Sequence, residues 1–175
     1  MSDLSLPPLN FSTDETLPMP LDARPASPFE AFKWPSPPLA CYPEAQRQSR
    51  PEPIDVEGID GQIRPGKLMS MTPEAGVAHV QVLPARAGMP LGFAQFRMLS
   101  LRTPLQPFGD HATAFDAGAI EPFRVDMNDG SVVAGRTVGY VQHDFGLFLF
   151  KPLDDAGSVR RVFIPRIAYR GFVAG

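Results

Sequence analysis

A chain of 175 residues with 43% hydrophobic residues can bury one core of ordinary size or two very small ones. With 16 basic against 19 acidic residues the net charge is -3, so no excess positive field gathers nucleic acid or an anionic membrane surface. The single cysteine, Cys41, excludes an internal disulfide. The start lacks the basic and apolar regions of a signal peptide, and no apolar run approaches the roughly 18 residues that span a bilayer, so the expectation is a soluble, cytoplasmic protein.

Composition breaks near residue 54. Residues 1–53 hold twelve of the 21 prolines and no glycine, whereas all 15 glycines lie from Gly58 onward. Proline at that density removes amide donors and fixes φ, so residues 1–53 read as a proline-rich, disordered tail. Inside it, "ASPFEAFKWPSPP" places Ser27, Pro28 and Glu30 as a capping box before a short turn that Pro35 ends. A turn that short is unstable alone in water. Its aromatic residues, Phe29, Phe32 and Trp34, are therefore expected to order against a protein partner or against the chain's own barrels, and are the candidate docking residues.

From residue 54 the signal changes to short apolar strands separated by glycine turns. "DGQIRPGKLMS" spaces Gly61, Gly66 and Lys67 almost as a phosphate-binding loop does. However, Leu68 stands where a magnesium-binding hydroxyl belongs and Pro65 removes an amide, so Gly61 to Leu68 is expected to be turn and strand. "FRVDMNDGSVVAG" alternates Phe123, Val125 and Met127 before a hairpin turn at Asn128-Asp129-Gly130, and "GLFLFKP" and "RRVFIP" are compact apolar runs closed by proline.

The two halves of this region align. Asp60-Gly61 falls on Asp129-Gly130, Gly66 on Gly135 and Phe93 on Phe163, and this repeat predicts two tandem small β-barrels. The expected organisation is an all-β chain with a tail over 1–53, a first barrel over 54–104, a linker over 105–120 and a second barrel over 121–175. The expected core is Leu68, Val77, Val80, Val82, Phe93, Phe96 and Leu99 in the first barrel. In the second it is Val125, Met127, Val138, Leu147, Leu149, Val162 and Ile164.

The order "VDMNDGSVVAGRTVGYV", "GLFLF", "RVFIPRIAYRGF" resembles the Sm-like and SH3-like small barrels. It lacks the paired Asp and Asn of their RNA-binding members. Asp129 to Gly139, Gly146 to Phe150 and Arg161 to Ala168 are further similar to segments in the accessory N-terminal region of bacterial type II secretion and type IV pilus assembly ATPases. That resemblance implies a non-catalytic interaction or regulatory module whose partner is such a motor or its assembly. The motor's own nucleotide-binding motifs are absent from the sequence, so it carries over no ATP hydrolysis.

Other residues are weighed on their spacing. His79, His111 and His143 are far apart and lack metal-ligand neighbours, Asp110 and His111 are merely adjacent, and Cys41 has no nearby histidine. Arg160, Arg161, Arg166 and Arg170 form a candidate basic patch, which raises a cyclic-dinucleotide or RNA-binding barrel as the alternative. The spacing from Arg161 to Arg166 is one residue longer than in the dinucleotide-binding PilZ domains, and a strand points Arg160 and Arg161 to opposite faces. No catalytic residue, cofactor or metal is expected.

Overall fold

The computed structural model describes residues 31–108 and 119–175, and there the chain is all-β. Two short strands come first, β1 (Lys33–Trp34) and β2 (Gln46–Arg47). The first half contributes β3 (Glu52–Gly58), β4 (Ile63–Thr72), β5 (Val77–Val82), β6 (Met89–Gly92) and β7 (Phe96–Leu101). The second half contributes β8 (Glu121–Met127), β9 (Val132–Thr137), β10 (Tyr140–His143), β11 (Gly146–Pro152), β12 (Val159–Pro165) and β13 (Tyr169–Ala174).

Both halves follow one plan. β3 pairs with β4 and β7, as β8 pairs with β9 and β13. The two D-G turns match in detail. The Asp60 carboxylate accepts the Gln62 amide at 3.0 Å and the Asp129 carboxylate accepts the Ser131 amide at 2.8 Å, with Gly61 and Gly130 at φ of 74° and 86°. Aspartate that bonds its own turn and glycine that accepts positive φ are the residues such turns require.

A 3-10 turn precedes the last strand of each half, at Phe93–Gln95 and Arg166–Ala168. These turns make Phe93 the counterpart of Arg166, and Phe96 that of Tyr169. The alignment of Phe93 with Phe163 is corrected by three residues, because β12 has 7 residues where β6 has 4. Phe93 and Phe163 instead touch, their ring centroids 5.2 Å apart.

β11 and β12 form an antiparallel ribbon that is buried on both faces. On one face Leu147, Leu149, Val162 and Ile164 pack with Val125 and Met127; on the other, Phe148, Phe150 and Phe163 pack with Leu68, Phe96 and Leu99. Alternate side chains of a strand point to opposite faces, so an unbroken run such as "GLFLF" is what a strand covered twice requires. β12 also pairs with β7, through Val162 with Ser100 and Phe163 with Leu99.

The result is an eight-stranded sheet in the order β10-β11-β12-β7-β3-β4-β5-β6, beside a three-stranded sheet β13-β8-β9. Two separate barrels were the expectation, yet among the described residues no sheet closes on itself and the strands of the second half extend the sheet of the first. The start of the expected linker is part of this body, since Leu105 bridges Val159. All expected core positions are buried except Val77 and Val82, which are half-buried.

The disordered tail over 1–53 is corrected for residues 31–53. Trp34 is 1% exposed and meets the rings of Phe32 at 5.4 Å and Phe148 at 5.6 Å. The Tyr42 hydroxyl donates to the Gly157 carbonyl at 2.6 Å, and the Gln48 side-chain amide donates to the Leu68 carbonyl at 2.7 Å. At Gly139, whose φ is 152°, an added Cβ would lie 2.6 Å from Pro38. Proline does bar this segment from long ladders, as composition implied. It is held as a strap across both halves by side chains instead.

Two measurements check the strap. Trp34→Ala should cost about 3–5 kcal/mol in urea denaturation, the usual loss for a large core aromatic. Burial, with Cys41 and Asp154 adding to it, pushes the Tyr42 phenol up to about 12. The protonated phenol is thus the form the fold holds. Its stabilisation is complete below the unfolded value of about 10 and declines as pH rises through the folded value. Tyr42→Phe should flatten that alkaline decline in melting temperature.

Candidate functional site

Where the two halves meet at one end, their equivalent turns face each other. A depression of about 240 Å³ is lined by Ile59, Phe93 and Ala94 from the first half and by Asn128, Ile167 and Ala168 from the second. Ile59 and Asn128 are the residues immediately before the aspartates of the two D-G turns. Ala94 and Ile167 are the middle residues of the two 3-10 turns.

Local hydrogen bonding fixes this arrangement. The Asn128 amide donates to the Ala168 carbonyl at 3.0 Å, and its side-chain amide donates to the Ile167 carbonyl at 2.6 Å. The 3-10 turn therefore sits directly on the hairpin, and Ile167 projects outward.

Arg97 of β7 spans the junction beside the depression. It pairs with Glu57 at 3.3 Å and with Asp129 at 3.3 Å, and donates to the Ser131 hydroxyl at 2.6 Å. The contact between Arg97 Nε and Asp129 is an ion pair without a directed hydrogen bond. Two hydrogen bonds from Ser131 hold the Asp129 carboxyl below its ordinary range, and Arg97 adds to the effect. Of the residues lining the depression, Arg97 and Asp129 carry charge, and they offset each other.

Exposed apolar side chains surround the opening. Ile59 is 70% exposed and Ile167 60% exposed, and both line the depression. A cluster of exposed branched side chains beside an apolar hollow marks a contact surface. The volume lies under the roughly 300–1,000 Å³ typical of small-ligand pockets, and so suits one inserted side chain.

The structure distributes the sequence candidates elsewhere. Phe29 lies outside the described residues, as do Asp110 and His111; Phe32 is half-buried and Trp34 fully buried, so these two face the protein's own core. Arg161 is buried, pairs with Glu52 at 3.4 Å and stacks over Trp34 at 5.9 Å, while burial pulls its guanidinium below the ordinary value against the pull of Glu52. Arg166 lies over the Tyr169 ring at 4.9 Å and donates to the Tyr169 carbonyl.

The four arginines are thus not gathered into one patch: Arg160 pairs with Lys151 across the ribbon and Arg170 is exposed on β13. Gly61 to Leu68 is turn and strand, with Lys67 paired between Pro53 and Gln81. Among the described residues no group of histidine, cysteine and carboxylate side chains is placed to hold a metal, and no helix is long and apolar enough to cross a membrane.

Searches against protein-family models, curated proteins and solved structures find no match to this chain. Sequence reading placed Phe93 and Phe96 in the core and Asn128 and Asp129 in a turn without joining them into a site, although a signal was present. Isoleucine is an unusual choice beside a D-G turn, and aligning the 3-10 turns instead of the phenylalanines superposes Ala94 on Ile167.

The Arg97 junction makes a pH-dependent prediction. Because the folded Asp129 carboxyl is held low, its contribution is present above the unfolded value of about 3.9 and lost as pH falls through the folded one. Asp129→Asn should therefore be less stable than the wild type in urea at neutral pH, and the gap should close in acid.

Proposed function

We propose that the chain is a non-catalytic protein-interaction module that receives an apolar side chain of its partner in the depression between the two halves. The observation that carries this reading is the pair of exposed isoleucines, Ile59 from the first half and Ile167 from the second, at an apolar hollow where equivalent turns of a repeat meet.

The resemblance of Asp129 to Gly139, Gly146 to Phe150 and Arg161 to Ala168 to the accessory region of secretion and pilus motors makes such an ATPase the first partner to test. The cyclic-dinucleotide alternative depends on Arg161, which is committed to Glu52 and Trp34.

Ile59→Asp combined with Ile167→Asp should leave the melting temperature within a few degrees, since both side chains are largely exposed. Titrated against the purified motor ATPase of the same organism, the double variant should bind at least about tenfold more weakly than the wild type, as loss of a central apolar anchor does. Undiminished binding by the double variant would remove the depression from the interface. No binding by the wild type would remove the motor as partner.

A further inference from the structure

A second depression, of about 460 Å³, lies where the strap crosses both halves, and its walls differ in kind from the first. On one side stand Lys33 and Arg47. They are direct cross-strand partners on the β1-β2 ribbon, and both are exposed. Like charges directly opposite each other on a ribbon destabilise it. Among the described residues neither side chain has a hydrogen bond or an ion pair to offset the repulsion.

Aromatic side chains also line the depression. His143 stacks on Phe145 with centroids 5.0 Å apart and planes within 4°, and Phe145 meets Phe32 edge-on at 6.4 Å. His143 is exposed and lines the depression beside Phe145, and it also meets Phe148 at 5.7 Å with planes 85° apart, so two rings hold the imidazole at the wall. Glu74 also lines it and offsets one of the two cationic charges, which leaves a net positive site. The volume falls within the roughly 300–1,000 Å³ range of small-molecule sites.

We propose that this depression binds a small aromatic molecule carrying an anionic group, with its ring against His143 and Phe145 and its phosphate or carboxylate between Lys33 and Arg47. Anion binding would turn an unfavourable cation pair into a charge-assisted one. The ring would gain the stacking energy that aromatic platforms supply to bases. The site is separate from the interaction surface proposed above and does not depend on it.

Trp34, the single tryptophan, contacts Phe32 edge-on at 5.4 Å and so serves as a built-in reporter. The full chain is titrated with adenosine monophosphate, adenosine and inorganic phosphate while Trp34 emission and binding heat are followed. Adenosine monophosphate should saturate at micromolar to millimolar concentration and bind at least about tenfold more tightly than either fragment, because ring and charge act together. Lys33→Ala with Arg47→Ala should weaken it by a similar factor without lowering the melting temperature, and His143→Ala should weaken it independently.

Absence of any response to adenosine monophosphate, or an unchanged response in the double variant, would overturn the proposal. Equal binding of adenosine would remove the anion role, and equal binding of phosphate the ring role. Either result refutes the site as stated. The Ile59→Asp, Ile167→Asp variant should bind adenosine monophosphate as the wild type does, which keeps this test distinct from that of the partner surface.

Discussion

The β11-β12 ribbon is covered twice, and most of the architecture depends on that constraint. Leu147, Leu149, Val162 and Ile164 serve one cluster while Phe148, Phe150 and Phe163 serve the other. Each half therefore completes its core with side chains from the same two strands, taken from opposite faces. Gly146 shows how tight the ribbon is, since an added Cβ there would lie 2.6 Å from the Ile164 carbonyl and still closer to the Phe163 ring. Any substitution with a side chain at that position has to move a buried aromatic or the backbone, in an interior packed like a crystal of small molecules.

How much of this was legible in the sequence follows from which signals are local. Strands announced themselves by alternation or by continuous apolar runs, and the D-G turns by residue types that few other conformations require. Of the expected core positions all but Val77 and Val82 are buried, but the buried rings of Trp34, Phe148, Phe150 and Phe163 were not among them. What sequence could not convey is which half a face belongs to. "GLFLF" states that both faces of a strand are buried, but not that the second face is covered by the other repeat. The proline-rich strap was misread for a related reason. Composition speaks to backbone hydrogen bonding, while Trp34, Tyr42 and Gln48 are held through side chains that reach distant carbonyls and rings.

The candidate sites follow from the same geometry. The apolar depression exists because a repeat folded against itself brings like positions together, so that two turns with only local roles become two walls of one hollow. Neither wall is recognisable in a single copy. Arg97 then acts as the clasp between copies, reaching from β7 to the second D-G turn. Glu52 and Arg161 make a comparable, more deeply buried link at the start of β3. In such a pair, removal of one partner leaves an uncompensated charge, a larger penalty than the pair's own net gain.

The pairing of β12 with β7 also governs the order in which the chain can assemble. β7 ends at Leu101 and its neighbour begins at Val159, so the first half leaves the ribosome with one strand edge open and without Phe148 and Phe163, the ring partners of Trp34, Phe93 and Phe96. Long-range strand pairing is slow because loop closure must precede the contacts that reward it. An exposed edge beside aromatic side chains is also a template for pairing with other chains. During synthesis, the interval before β12 emerges is when this protein is most open to aggregation, and chaperone demand should fall on that interval and not on the finished fold.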